Sequence, residues 1–549
     1  MPNSKRVTTR AFLVILLLFA SSLSAFALRR ERLIDKWKPS HYDLSLTLND
    51  QLTEITTAQA IIDIVAVGNL SVVDLDFGEM TTDAVTVGGQ TARFIHRDGK
   101  LLVTLPAPIS AGATTRIAII YHGKPKDGLA LTNDKDGKPT AIGDNWPDRV
   151  HHWIPCLDHP SAKATVTFKI SAPARDLVVA NGKFVTVENI DEKHKRWTYE
   201  ETVPIPPYCM IIGVGEFAKF DVVGPTPSPL SLYVPYSDGA YANKGFSSAG
   251  PVLNMFSELV APYPYEKLAL IIGATRFGGM ENSSAIVFAS TLFNPNSAQE
   301  MSKAFGIRSG LESVIAHEIA HQWFGDSVTE STWADLWLSE GFATYFAGLF
   351  LEKYEGKNEF QSFMKKAASS VFTFEEKAHT PIHDRETEDL FKLLNENSYQ
   401  KGAWVLHMLR SKLGDEAFFR GLKSYYSEHK NATANTEDLR RALEKTSSQN
   451  LQQFFARWVY DSGHPKYEVV WTWKNKKLRV AVNQKQDGNA FMDPLPVTIT
   501  TATRTYQMML RPKGKTVIET MTTTEMPKNL AVDPNQTILK EVLAIKQSS

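Results

Sequence analysis

Two cysteines in 549 residues are too few for a disulfide scaffold, so this chain must fold on buried apolar surface. An excess of charge is also missing, since 60 lysines and arginines face 60 aspartates and glutamates. That balance offers no basic field to a nucleic-acid backbone, and no nucleic-acid partner is expected. Internal repeats and low-complexity blocks are absent, which excludes a solenoid. Long apolar runs are confined to the first residues. There Lys5, Arg6 and Arg10 precede the apolar stretch Phe12 to Ala20 and the small-x-small segment Ala25-Phe26-Ala27. This pattern reads as a secretory signal peptide over residues 1–27, cleaved after Ala27. Its core falls short of the ~20 residues of a membrane span, and no cysteine follows the cleavage site to carry a lipid. The expectation is a secreted or periplasmic protein without a membrane anchor after signal cleavage, near neutral once the three leader cations are gone. Cys156 and Cys209 either bridge in that oxidising setting or remain buried thiols.

What is present falls into three stretches, as the length demands. Residues 28–225 alternate with period two in short runs such as His41 to Leu48, Thr56 to Val65, Ile117 to Tyr121 and Ala164 to Ile170, and read as a β domain. The Gly224-Pro225-Thr226-Pro227-Ser228-Pro229 segment punctuates the chain. Residues 226–464 open with strands and turn helical, and residues 465–549 return to strand alternation, a small terminal β-sandwich.

The chemistry sits in the middle stretch. His317-Glu318-Ile319-Ala320-His321 lies among Leu311, Val314, Ile315 and Phe324, an apolar stripe of helical period, with Gly325 as a stop. Histidines at i and i+4 project from one helix face and can reach one ion at about 2.0 to 2.1 Å. Eighteen residues further on, Glu340 lies near the middle of a second expected helix, Thr332 to Leu351, which can close a His317, His321, Glu340 site. Three protein ligands leave a fourth position open, the arrangement of one catalytic zinc ion. Glu318 stands beside the ligands, a carboxylate able to take a proton from a water that the metal acidifies. About forty residues upstream, after the apolar run Leu268 to Ala274, comes Gly278-Gly279-Met280-Glu281-Asn282. Its glycines allow backbone to approach a ligand, a strand edge there can pair with an extended peptide, and Glu281 is an anion suited to an α-ammonium.

HExxH, eighteen residues and Glu, preceded by GxMEN, resembles the aminopeptidase N-like family of zinc metallopeptidases within the gluzincins. The likeness extends to Trp337-Leu338-Ser339-Glu340-Gly341-Phe342-Ala343, to Tyr399-Gln400-Lys401-Gly402-Ala403 and to Ile154-Pro155-Cys156-Leu157-Asp158-His159-Pro160. The resemblance implies a multidomain α+β fold: an N-terminal antiparallel β domain, a thermolysin-like mostly helical catalytic domain and a small C-terminal β-sandwich. It implies a zinc aminopeptidase acting on peptide substrates, with Glu318 as general base, Tyr399 donating to the oxyanion, and Gly278, Gly279, Met280, Glu281 and Asn282 binding substrate.

One position departs from the family. Where a Gln or Glu usually assists the amine, this chain has Trp146, flanked by Asp144 and Asn145 as substitutes. Trp146 is either a pocket wall for the first side chain or a core aromatic. His151, His152 and His159 lack ligand spacing, and His379 and His383 read as loop residues. Rival readings are a thermolysin-like endopeptidase, a non-catalytic scaffold and a dual aminopeptidase and epoxide hydrolase. Oligomeric state is not legible.

Many family members continue into a large helical domain that caps the cavity, and the strand pattern here runs to the chain end. An open cleft is expected. Cleavage rates should hold as peptides lengthen beyond short oligomers; a collapse over a ladder of peptide lengths, followed by mass spectrometry, would contradict that.

Overall fold

The computed structural model describes residues 29–293 and 310–548, apart from Leu33, Val223 and Pro225; the expected signal peptide lies outside the described residues. The N-terminal region is built on an eight-stranded sheet joined by four-stranded and three-stranded sheets. Alternation decides it: along Trp37–Leu48 every second side chain from Tyr42 onward is buried, so one face meets the core and the other meets water. This strand pairs antiparallel with Ile55–Ala66 but parallel with Ala164–Pro173, so the large sheet is mixed at one joint where sequence suggested antiparallel pairing throughout. The long connection between those parallel strands is what permits the joint.

A five-stranded sheet opens the catalytic region, and its first strand, Phe217–Asp221, precedes Gly224. At its centre Leu268–Gly273 runs parallel to both Leu230–Pro235 and Ala285–Ala289. Burial on two faces explains its uninterrupted apolar sequence. Gly279–Met280 forms the outermost strand, antiparallel to Ala285–Ala289. The described helices follow: α1 (Gly239–Gly245), α2 (Ala249–Leu259), α3 (Gly310–His321), α4 (Trp337–Tyr354), α5 (Lys357–Glu375), α6 (Gly402–Leu413), α7 (Asp415–His429), α8 (Thr436–Ser447) and α9 (Gln452–Trp458). Helix α4 is buried on every side from Trp337 to Leu351, as an all-round apolar helix must be. It starts five residues later than the sequence pattern suggested. Trp333–Asp335 is a separate short turn, and Asp335 Oδ1 accepts from the backbone N–H and hydroxyl of Thr436, which holds that turn on α8. Glu340 therefore stands in the first turn of α4 rather than near its middle, where the helix dipole favours a negative charge.

Four-stranded and three-stranded sheets make the C-terminal region. Cys156 and Cys209 are buried free thiols, and Cys209 Sγ donates to Asp326 Oδ1 at 3.2 Å. Among the described residues no helix is long and apolar enough to cross a membrane.

A buried ionic chain joins the last strand to the helices. Lys401, wholly buried, donates to Glu375 Oε1 at 2.6 Å; the other oxygen of Glu375 pairs with His464 Nδ1, and His464 Nε2 lies 3.4 Å from Glu541. Burial opposes the Glu375 charge, yet the His464 hydrogen bond and the Lys401 ammonium hold its pKa down to about 2. A carboxyl depressed below its usual 4.5 adds stability that is complete above that value and is lost as pH falls toward 2. Glu375→Gln should therefore cost roughly 3 kcal/mol at neutral pH, because it leaves Lys401 buried without its counter-charge. Denaturant melts should show the gap from the wild type closing as pH approaches the acid limit; a gap that does not depend on pH would contradict the assignment.

Candidate active site

Helix α3 presents His317 and His321 one turn apart, and α4 brings Glu340 against them. The Nε2 atoms of the two histidines lie 3.0 Å apart, and Glu340 Oε2 is 3.2 Å from His317 Nε2 and 3.4 Å from His321 Nε2. Ligand atoms in a tetrahedral zinc shell stand about 3.3 Å from one another, so the triangle has the size of a zinc site. The orientation of His321 agrees. Its Nδ1 lies 3.2 Å from the Phe324 carbonyl and 2.9 Å from Ser339 Oγ, and donation to the carbonyl leaves Nε2 as a lone pair aimed into the triangle.

The electrostatics favour a positive charge at that point. Burial works against a charged His321, but Glu340 and Glu281 raise its pKa to about 10. Burial likewise works against a charged Glu340, and His321 with His317 holds it down to about 2. The donor set fits zinc, with two imidazoles, one carboxylate and room for a fourth ligand.

Two further carboxylates flank the triangle. Glu281, Glu318 and His321 also bring ligand atoms within 4.8 Å of one another. Burial, then the neighbouring Glu281 and Glu340 carboxylates, pushes Glu318 well above the usual range, while burial and Glu340 bring Glu281 up to about 7 against the pull of His321. Tyr399 occupies a single π-helical turn, Asn397–Lys401, that leads into α6. Its ring stacks on His317 at 5.9 Å with planes 9° apart, and its phenol, raised by burial and by Glu340, faces that carboxylate.

Two glycine contacts set these distances. Gly341, next to Glu340, crosses Gly402 so closely that a Cβ would stand 2.9 Å from the Gly402 Cα, which seats the Tyr399 turn on α4. Gly279 passes over Glu318, where a Cβ would meet the carboxyl carbon at 2.3 Å.

Nine of the ten residues singled out in the sequence, from Gly278 to Glu281 and from His317 through Tyr399, line one cavity of about 840 Å³. Asn282 does not. It is fully buried behind the edge strand, and its Nδ2 donates to the Met280 carbonyl at 3.3 Å, so its place is in the support of the strand rather than on the substrate side. Asp144 and Asn145 are also spent elsewhere: Asp144 accepts from Arg149 at 2.9 Å and Thr275 at 3.0 Å, and Asn145 accepts from Trp153 and donates to Met210. Trp146 is both of its readings at once, nearly buried and yet a cavity wall. His151 pairs with Asp158 and His159 with Glu31; no metal cluster forms there among the described residues. His383 lies 3.3 Å from Asp335.

Gln322 went unnoticed in the sequence. Its Nε2 donates to the Glu281 carbonyl at 2.9 Å and to Asp326 Oδ2 at 2.8 Å, while its Oε1 accepts from Ser284 N at 2.8 Å and from Tyr263 at 3.0 Å. It ties the end of α3 to the substrate-side strand. The available signal was an uncharged polar residue inside an otherwise apolar helix end.

Comparison with known proteins agrees with this geometry. Residues 38–209 match the Peptidase M1 N-terminal domain, and residues 246–458 match the Peptidase family M1 domain. The chain belongs to the M1 peptidase family. Among M1 relatives, "Probable aminopeptidase 1" of Sulfurisphaera tokodaii is 27% identical over 404 residues, 72% of this chain and 50% of the relative. The chain spans about half the length, or less, of the curated relatives it matches. The crystal structure of the M1 zinc metallopeptidase from Deinococcus radiodurans superposes with a TM-score of 0.65 at 27% identity, covering 77% of this chain and 93% of that one. A variant of that enzyme has been solved bound to a Tyr-Ser-Ala substrate, with the same TM-score and 94% of its chain covered.

The contact between Gly279 and Glu318 yields a test in this M1 chain. Gly279→Ala must push the Glu318 carboxyl away from the ligand triangle, and a displacement of this order costs on the order of 100-fold in kcat/KM. Zinc content by atomic absorption should stay at the wild-type level; unchanged kinetics would contradict the close approach.

Proposed function

We propose that the protein is a secreted zinc aminopeptidase that removes single residues from the N-termini of peptides. The observation that supports this best is the meeting, in one cavity, of a metal-sized ligand triangle with a carboxylate, Glu281, that belongs to none of its three corners. His317, His321 and Glu340 would hold one zinc ion, which when bound supplies polarisation of the scissile carbonyl and acidification of a water. Glu318, within reach of the triangle and unligated, takes the proton of the attacking water and returns it to the leaving amine. Tyr399 keeps its phenol protonated and donates to the oxygen that becomes negative, a contact typically worth roughly 2.7 to 4 kcal/mol of barrier.

Glu281 makes the reaction exopeptidic. It is fixed by Gln322 through its own backbone carbonyl, and an arriving α-ammonium would favour its ionised form. The outermost strand, Gly279–Met280, leaves an edge along which an extended peptide can lie. The Deinococcus radiodurans variant was solved with a tripeptide substrate bound, which supports a peptide as the ligand of this cavity. The N-terminal leader supports export, and the intact ligand set speaks against a scaffold that has lost catalysis.

A peptide offered with a free and with an acetylated N-terminus tests the reading. The free form should be cleaved one residue at a time, and the acetylated form should lose at least about 100-fold in rate, because its amide cannot pair with Glu281. Dialysis against a chelator should abolish activity and added zinc restore it. Equal cleavage of both forms would favour the endopeptidase reading, and activity indifferent to chelation would remove the metal from the mechanism.

A further inference from the structure

The end of the cavity beside Glu281 carries a second message, which rests on the aminopeptidase reading. Trp146 is 2% exposed and is held edge-on by three rings: Phe277 at 5.9 Å and 89°, Trp333 at 5.6 Å and 78°, and Phe391 at 5.8 Å and 76°. Such T-shaped contacts fix a side chain in place, so this wall is preformed. Phe277 precedes Gly278 and Met280 precedes Glu281 in the chain, and both pack in the same apolar cluster as Trp146. Leu394, five positions before Tyr399, packs there too and lines the cavity.

The charges nearest to this wall are already neutralised. Asp144 is taken by Arg149 and Thr275, and Asp127 accepts from Arg149 at 2.6 Å and from Arg276 at 2.7 Å. A side chain anchored one bond from an ammonium at Glu281 therefore meets rings, a thioether and a leucine. We infer that Trp146, with Phe277, Met280 and Leu394, receives the first side chain of the substrate and selects bulky apolar N-terminal residues, aromatic ones above all. Trp146 is thus a specificity-determining residue. An apolar wall discriminates by the area it covers, and each methylene removed from a substrate forfeits roughly tenfold or more.

The test uses the zinc-loaded full chain and a panel of amino-acid anilides: Phe, Leu, Ala, Lys and Glu. Phe and Leu should exceed Ala in kcat/KM by more than roughly tenfold, with Lys and Glu at or below Ala. Trp146→Ala should lower the Phe-to-Ala ratio at least about tenfold, and Trp146→Phe should restore part of it. The ratio does not depend on how much of a variant folds, so a loss of stability leaves it readable. Glu396 and Lys366 also line the cavity, and the Lys and Glu substrates report whether either reaches the first side chain. A preference for Lys or Glu over Phe, or variants that lose Phe and Ala cleavage equally, would overturn the inference while leaving the aminopeptidase reading intact. Failure to cleave any free-amine anilide, with an N-acetylated peptide cleaved internally, would overturn both.

Discussion

Three glutamates, 281, 318 and 340, are buried around two imidazoles, and everything else in the molecule has to make that tolerable. An isolated carboxylate costs far too much to bury ionised, and it escapes either by taking a proton or by finding a cation. Here the escape differs from one corner to the next. Glu340 stays ionised by pairing with the histidines, while burial drives Glu318 and Glu281 upward, helped at Glu318 by the Glu281 and Glu340 carboxylates and at Glu281 by Glu340. A divalent cation in the triangle would settle all three together, so the proposed metal binding, basicity and amine recognition would share one electrostatic arrangement. Removing any one carboxylate changes the protonation of the others.

The arrangement is held by close backbone approach more than by side-chain bulk. The Gly341 and Gly402 crossing brings the Tyr399 turn onto the first turn of α4, and the pass of Gly279 over Glu318 brings the edge strand onto α3. Gln322 then stitches that strand to the loop after α3 through hydrogen bonds on both of its amide ends. The Gly341 and Gly402 crossing is backbone against backbone and leaves no room for a methyl group, while at Gly279 a methyl group would displace the end of the Glu318 side chain.

The zinc ligands were legible because helix periodicity is local: i and i+4 share a face whatever the tertiary fold. The strands of the N-terminal region were legible for the same kind of reason, one face being wet and the other dry. What escaped was everything decided between distant segments. The start of α4 at Trp337 depends on Asp335 meeting Thr436, about a hundred positions away in sequence, and the parallel joint between the strands at Trp37 and Ala164 depends on a connection of similar length. Asn282 sits in a motif that the resemblance reads as substrate-binding as a whole, yet its direction is set by packing behind the edge strand, which no spacing reveals. Asp144 and Asn145 had the right chemistry to assist an amine. Their partners Arg149, Thr275, Trp153 and Met210 had already claimed it.

The N-terminal region is therefore part of the site rather than an appendage. Lys163, half-buried on the seam, donates to the carbonyls of Asp326 at 2.7 Å and Ser327 at 2.8 Å and to Thr329 Oγ1 at 2.9 Å, all within the segment that follows α3. Burial lowers its pKa to about 7, so those acceptors stand where water would otherwise solvate the ammonium. From the same N-terminal region Trp146 reaches the cavity, where it lines the wall together with Phe277 and Glu281. In the proposed reading, the Glu281 carboxylate and the Trp146 wall would act on the same first residue of a substrate, the one on its amine and the other on its side chain.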